Sequence, residues 1–151
     1  MKQDRRGIAA VELALIAPVL LSVLAPLTDF TLALSDRMQL AAAVEAGAAY
    51  AFNQGQLLEG TQQSVSASDV QAKVLAGTRL GATVQVTGPS TYCISSTATL
   101  IAGTPGTACA NGNPPGTYMI ITASYHYSPM LPVYSMMAAT TLTETASVRL
   151  Y

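Results

Sequence analysis

A chain of 151 residues holds one ordinary domain, or a membrane helix plus a small domain. Half of its residues are hydrophobic and only 10% are charged. With seven basic and eight acidic side chains the formal net charge is −1, which gives no electrostatic support to a nucleic-acid partner. The apolar excess is concentrated before Phe52, and the remainder is Thr/Ser-rich with strand-like patterning.

Lys2, Arg5 and Arg6 are three of the seven basic residues, and all precede an apolar run from Ile8 to Leu27. A bilayer crossing needs about 20 mostly apolar residues, which this run supplies. By the positive-inside rule the N-terminus stays cytoplasmic and everything after Leu27 is exported. Inside the run sits Glu12, whose carboxylate costs on the order of 2.5–3.5 kcal/mol at the bilayer centre and less near the interface.

Three readings compete for this region. A secretory signal peptide has an apolar region of roughly 7–15 residues ending in a small-x-small site. Here the run is longer, contains Glu12, and its best candidate site after Ala25 is followed by Pro26. A plain signal anchor would make Glu12 incidental. A prepilin-type signal would be cut between Gly7 and Ile8, leaving the apolar segment on the mature protein. The spacing favours the last, because Ile8 and Glu12 then lie one helical turn apart. In a lipid-like environment the new amine of one subunit and the carboxylate of its neighbour satisfy each other, which makes Glu12 a registration device. Pro18 and Pro26 each remove a helical hydrogen bond, a loss that membrane helices tolerate.

The stretch Arg5-Arg-Gly-Ile-Ala-Ala-Val-Glu-Leu-Ala-Leu-Ile-Ala-Pro18, followed by Asp29-Phe30, resembles the N-terminus of TadE-like proteins, the minor pseudopilins of tight adherence (Tad/Flp) pilus systems. The resemblance implies Gly7 as the cleavage-site residue, Ile8 as the mature N-terminus and Glu12 as the carboxylate of the motif. Leu13 departs from the aromatic residue that members often carry there. The implied partners are the inner membrane, a prepilin peptidase, other pseudopilins, the Flp pilin and the Tad secretion machinery. The implied location is the inner membrane, single-pass, with the C-terminal domain periplasmic and incorporation into an extracellular pilus left open. The main Flp pilin is much shorter than this chain and TadG-like members much longer, so a TadE- or TadF-like role fits best. The competing reading is a signal-anchored periplasmic binding or scaffold domain that never enters a filament.

Beyond the membrane segment, Thr28 to Phe52 reads as continued helix. Its expected stripe is Phe30, Leu34, Met38, Ala41, Val44, Ala48 and Phe52, packed chiefly on its own domain. Asn53-Gln54-Gly55 is the expected stop. Glu59 to Ser66 reads as a linker, and Ser66 or Ser68 as the cap of a short helix closed by Gly77 or Gly81. Strands are expected over Ala82–Thr87, Thr117–Tyr127 and Ala139–Tyr151, with Pro129 and Pro132 bounding the second. The predicted architecture is α+β of pilin type, a long N-terminal membrane-spanning helix continuing into a small antiparallel sheet. Its expected parts are a leader over 1–7, a transmembrane helix over 8–28, an exported extension over 29–53 and an α+β domain over 54–151.

Cys93 and Cys109 both fall in the exported part, and an even pair in an oxidising compartment reads as one disulfide. Closing about 15 residues of Ser/Thr/Gly/Pro-rich loop contributes roughly 3 kcal/mol in the chain-entropy model. A stapled loop is the first reading, and a binding tip the second. These cysteines, Tyr127-Ser-Pro-Met-Leu-Pro132 and the strand Ala146–Arg149 are also similar to TadE-like domains.

Catalytic signals are missing. His126 is the single histidine and has no acidic or cysteine ligand near it in sequence. Glu144 interrupts a strand face, where an edge position or a pair with Arg79 or Arg149 is expected. Gly103-Thr-Pro-Gly106 lacks the lysine and the strand-to-helix context of a phosphate loop, and the cysteines lack redox spacing. The expectation is a structural protein with no metal and no cofactor.

Overall fold

The computed structural model describes residues 5–60 and 63–151. In chain order the elements are α1 (Arg5–Leu58), α2 (Ala67–Gly77), β1 (Thr83–Ile94), β2 (Leu100–Ala102), β3 (Gly116–His126), α3 (Pro132–Met137) and β4 (Thr141–Arg149). This is the α+β arrangement that the sequence predicts. Two compact units divide the chain: one holds α1 up to Ser35 with Tyr127–Thr140, the other Asp36–His126 with Thr141–Tyr151.

In the first unit α1 is helical through both Pro18 and Pro26. Its large apolar residues from Val11 to Leu27 are exposed on every side of the helix. A helix that is apolar all round belongs in a core or in a membrane, and this part of α1 has no core around it. Among the described residues it is the one helix long and apolar enough to cross a membrane, by length and composition. The hydroxyls of Ser22, Thr28 and Thr31 donate back to the carbonyls of Val19, Ala25 and Leu27 at 2.7, 2.7 and 2.8 Å. Their polarity is thus spent inside the helix.

The second unit packs the later half of α1 and α2 on a four-stranded antiparallel sheet of order β2-β1-β3-β4. Its core is Leu40, Ala43, Val44 and Ala51 of α1, Val70 and Val74 of α2, and Val84, Met119, Ile121, Ala123 and Leu150 from the sheet side. The predicted stripe on α1 is met in part, with Ala48 packed against this core and Ala41 half-buried. Val44 is in the core, but Phe30 and Met38 are 56% and 62% exposed. Leu40, Ala43, Gly47 and Ala51 join Val44 on the buried face. The physical reason is close approach. A Cβ on Gly47 would collide with Val74 Cγ2, and one on Gly77 would meet the Ala43 Cα at 3.3 Å. The Ala/Gly-rich stretch is a seat for α2 of the same chain.

Two boundaries differ from expectation, and two short elements, β2 and α3, are additional. α1 runs past Asn53 to Leu58 because Gly55 is a packing residue, not a cap: its Cβ would lie 3.0 Å from the Leu150 Cα. β1 continues through Pro89 to Ile94 because a bulge between Thr87 and Ser90 absorbs the proline. Gly88 makes that bulge possible, with φ +111° and the Tyr118 carbonyl oxygen 2.7 Å from where a Cβ would stand. β2 is a three-residue strand without an alternating pattern of its own. α3 follows the expected Pro-rich turn, with Pro132 in its first turn where a missing N–H costs nothing. By contrast α2 takes one of each pair of expected ends: Ser66, not Ser68, caps it, accepting from the Asp69 N–H at 3.4 Å, and it ends at Gly77, not Gly81.

Candidate functional site

Lys2 lies outside the described residues. Arg5, Arg6, Gly7 and Ile8 fall within the first turns of α1, so the Gly7–Ile8 bond lies in helical backbone. Glu12 is exposed on the same helix one turn on. From Leu13 to Thr28 no charged residue follows it.

The next charge, Asp29, is fully buried. Its Oδ1 accepts from the Met130 N–H at 2.9 Å and lies 3.2 Å from the Tyr127 hydroxyl, which is also 3.1 Å from the Asp29 carbonyl oxygen. Its Oδ2 accepts from the Leu131 N–H at 2.8 Å. Tyr134 closes the arrangement, edge-on to Tyr127 with ring centroids 5.2 Å apart and 6.5 Å from Phe30. The two motifs Asp29-Phe30 and Tyr127–Pro132 thus form one clamp in which a carboxylate binds backbone. The donors to the carboxylate are the N–H groups of Met130 and Leu131 and the Tyr127 hydroxyl. Sequence reasoning named both motifs without joining them. The available signal was the isolation of Asp29, the one charged residue between Leu13 and Ser35.

Cys93 and Cys109 are joined, with Cα atoms 5.7 Å apart, as expected. The bond ties the end of β1 to the loop after β2, and side-chain and backbone hydrogen bonds order the rest. Asn111 Nδ2 donates to the Ile94 carbonyl at 3.1 Å, and the Cys109 N–H to the Asn113 carbonyl at 2.9 Å. Beside the disulfide is an open cup of about 530 Å³, with Ile94 and Ile101 among its walls.

Glu144 on edge strand β4 pairs with neither Arg79 nor Arg149. It accepts from Nε of Arg37, a residue of α1, at 2.6 Å; no local pattern singles that arginine out. That hydrogen bond and the Glu144 charge raise the pKa of the Arg37 guanidinium. His126 ends β3, exposed, and among the described residues no group of His, Cys, Asp or Glu could hold a metal ion.

An all-round apolar N-terminal helix, leading into a small sheet domain with one disulfide, suggests single-pass membrane anchoring. The family model for TadE-like protein matches residues 7–49, within α1. Neither curated proteins nor solved structures gave a match.

Proposed function

We propose that this chain is a minor pseudopilin of a Tad/Flp-type adherence pilus. A prepilin peptidase cuts it between Gly7 and Ile8 after Lys2, Arg5 and Arg6 hold the leader on the cytoplasmic side of the inner membrane. The Ile8 amine then meets Glu12 of a neighbouring subunit, and the domain after residue 28 lies in the periplasm. The observation that carries this reading is the family match over 7–49 on a helix that is apolar all round from Val11 to Leu27. Such a surface suits lipid before assembly and neighbouring helices after it. Other pseudopilins, the Flp pilin and the Tad secretion machinery are the partners this role requires.

The test is the intact mass of the chain purified from cells with and without the peptidase. A mature chain beginning at Ile8 only when the peptidase is present is the expected result. Retention of Met1–Gly7 in peptidase-positive cells overturns the proposal. It would leave the second reading, a signal-anchored scaffold or binding domain, which the open cup beside Cys93–Cys109 favours.

A further inference from the structure

Within the first unit, Tyr127–Thr140 is held to α1 by the Asp29 clamp and by the ring of Tyr134 against Phe30. On this segment Met130, Met136 and Met137 are 79%, 85% and 81% exposed. Three long apolar side chains displayed together on one short segment are not what water selects. Met137 also lines a groove of about 320 Å³ whose other wall is Val23, Pro26 and Leu27 of the apolar helix. The display is therefore continuous with the surface that reads as membrane-spanning.

Charge and backbone chemistry point the same way. Tyr127–Thr140 contains no Asp, Glu, Lys or Arg, and α1 from Leu13 to Ser35 contains only Asp29, which is buried. Non-helical backbone near hydrocarbon must have its polar groups satisfied internally. Here Pro129 and Pro132 have no N–H to satisfy, Asp29 takes those of Met130 and Leu131, and the Tyr127 N–H goes to the Thr140 carbonyl at 2.8 Å. The depth also agrees. Counting about 30 Å of hydrocarbon at about 1.5 Å per residue from Leu13 reaches the neighbourhood of Leu32, level with the clamp.

We infer that Tyr127–Thr140 is a second membrane-contacting element, lying in the headgroup–acyl boundary of the leaflet distal to the N-terminus, with Met130, Met136 and Met137 among the lipid chains. Asp29 is the internal acceptor that lets this segment sit there. The inference rests on α1 spanning the bilayer and goes beyond pilus assembly. A second copy of the chain is the rival occupant of the face, but it would not account for the coincidence of depth.

The chain has no tryptophan, so single introduced tryptophans report cleanly. The full-length chain is reconstituted in phosphatidylcholine–phosphatidylglycerol vesicles as L20W, M136W, M130W or L57W, with lipids brominated either near the headgroup or near mid-chain. Leu20 marks the span, and Leu57 is an exposed position in the other unit. M136W and M130W are expected to emit to the blue of L57W and to be quenched severalfold more by the shallow bromines. L20W should be quenched by the deep ones and L57W by neither. Quenching of L20W without M136W and M130W overturns this inference and leaves the span intact. Failure of L20W removes the span and the inference together. Blue emission from M136W that ignores bromine but depends on the protein-to-lipid ratio assigns the face to a second copy, and the inference falls.

Discussion

The two units of this molecule place their apolar residues in opposite ways. In the unit built on the sheet, Leu40, Met119, Ile121 and Leu150 are fully buried and the exposed faces of the strands carry Thr and Ser. In the N-terminal unit the large apolar side chains face outward and the fully buried side chain is a carboxylate, Asp29. One chain thus follows two solvents. Where water is the surroundings, burial of apolar area drives packing. Where lipid is, apolar contact is available everywhere, so packing rests on polar groups that must find one another.

The sharpest break of this comparison is a matched pair of truncations. Ile121→Ala removes a core side chain and is expected to destabilise the sheet unit by about 2–5 kcal/mol, read as the shift in denaturant midpoint of the near-ultraviolet circular dichroism. Leu20→Ala removes a similar volume from an exposed position on α1 and should leave that midpoint in place. Equal losses from both would mean that the apolar helix is a core helix after all. Next in size is Asp29→Ala, which strips two backbone N–H groups of their acceptor. Its expected effect is local: amide exchange at Met130 and Leu131 should rise severalfold while β3 and β4 stay protected. Unchanged exchange at those two amides would dissolve the clamp.

How far the sequence reached follows the same division. The apolar run, the basic leader and the three main strands were legible because each is periodic or contiguous, and so local. The cap at Ser66 and the pairing of Cys93 with Cys109 were legible for a similar reason, each resting on a strong residue preference. What failed was decided at a distance. The buried face of α1 is set by α2 packing onto Gly47, and the end of α1 by Leu150 packing onto Gly55. No window along α1 contains either partner. The clamp was missed on the same ground, since Asp29 and Tyr127 are 98 residues apart. Local grammar identified both motifs, but only the fold could join them.

The smallest prediction separates the two carboxylates by what holds them. Glu144 is held by a cation, Arg37, at an exposed site on the sheet unit. Exposed ion pairs contribute little, and beyond a Debye length of about 10 Å at 0.1 M salt their influence fades. Asp29 is held by short hydrogen bonds from backbone in a buried setting, where added salt has little purchase. Arg37→Gln should therefore lower the midpoint of the sheet unit slightly at low ionic strength and not at all at high. Raising salt on the unsubstituted chain should reproduce that slight loss without altering exchange at Met130 or Leu131. If salt instead loosened those two amides, an ionic partner would have to stand behind Asp29, and the account of the membrane-side unit as one stabilised by neutral donors would fail. The pair at Arg37 is thus worth little as a source of stability and more as an internal control: it shows what a charge-held contact does under the same change of conditions.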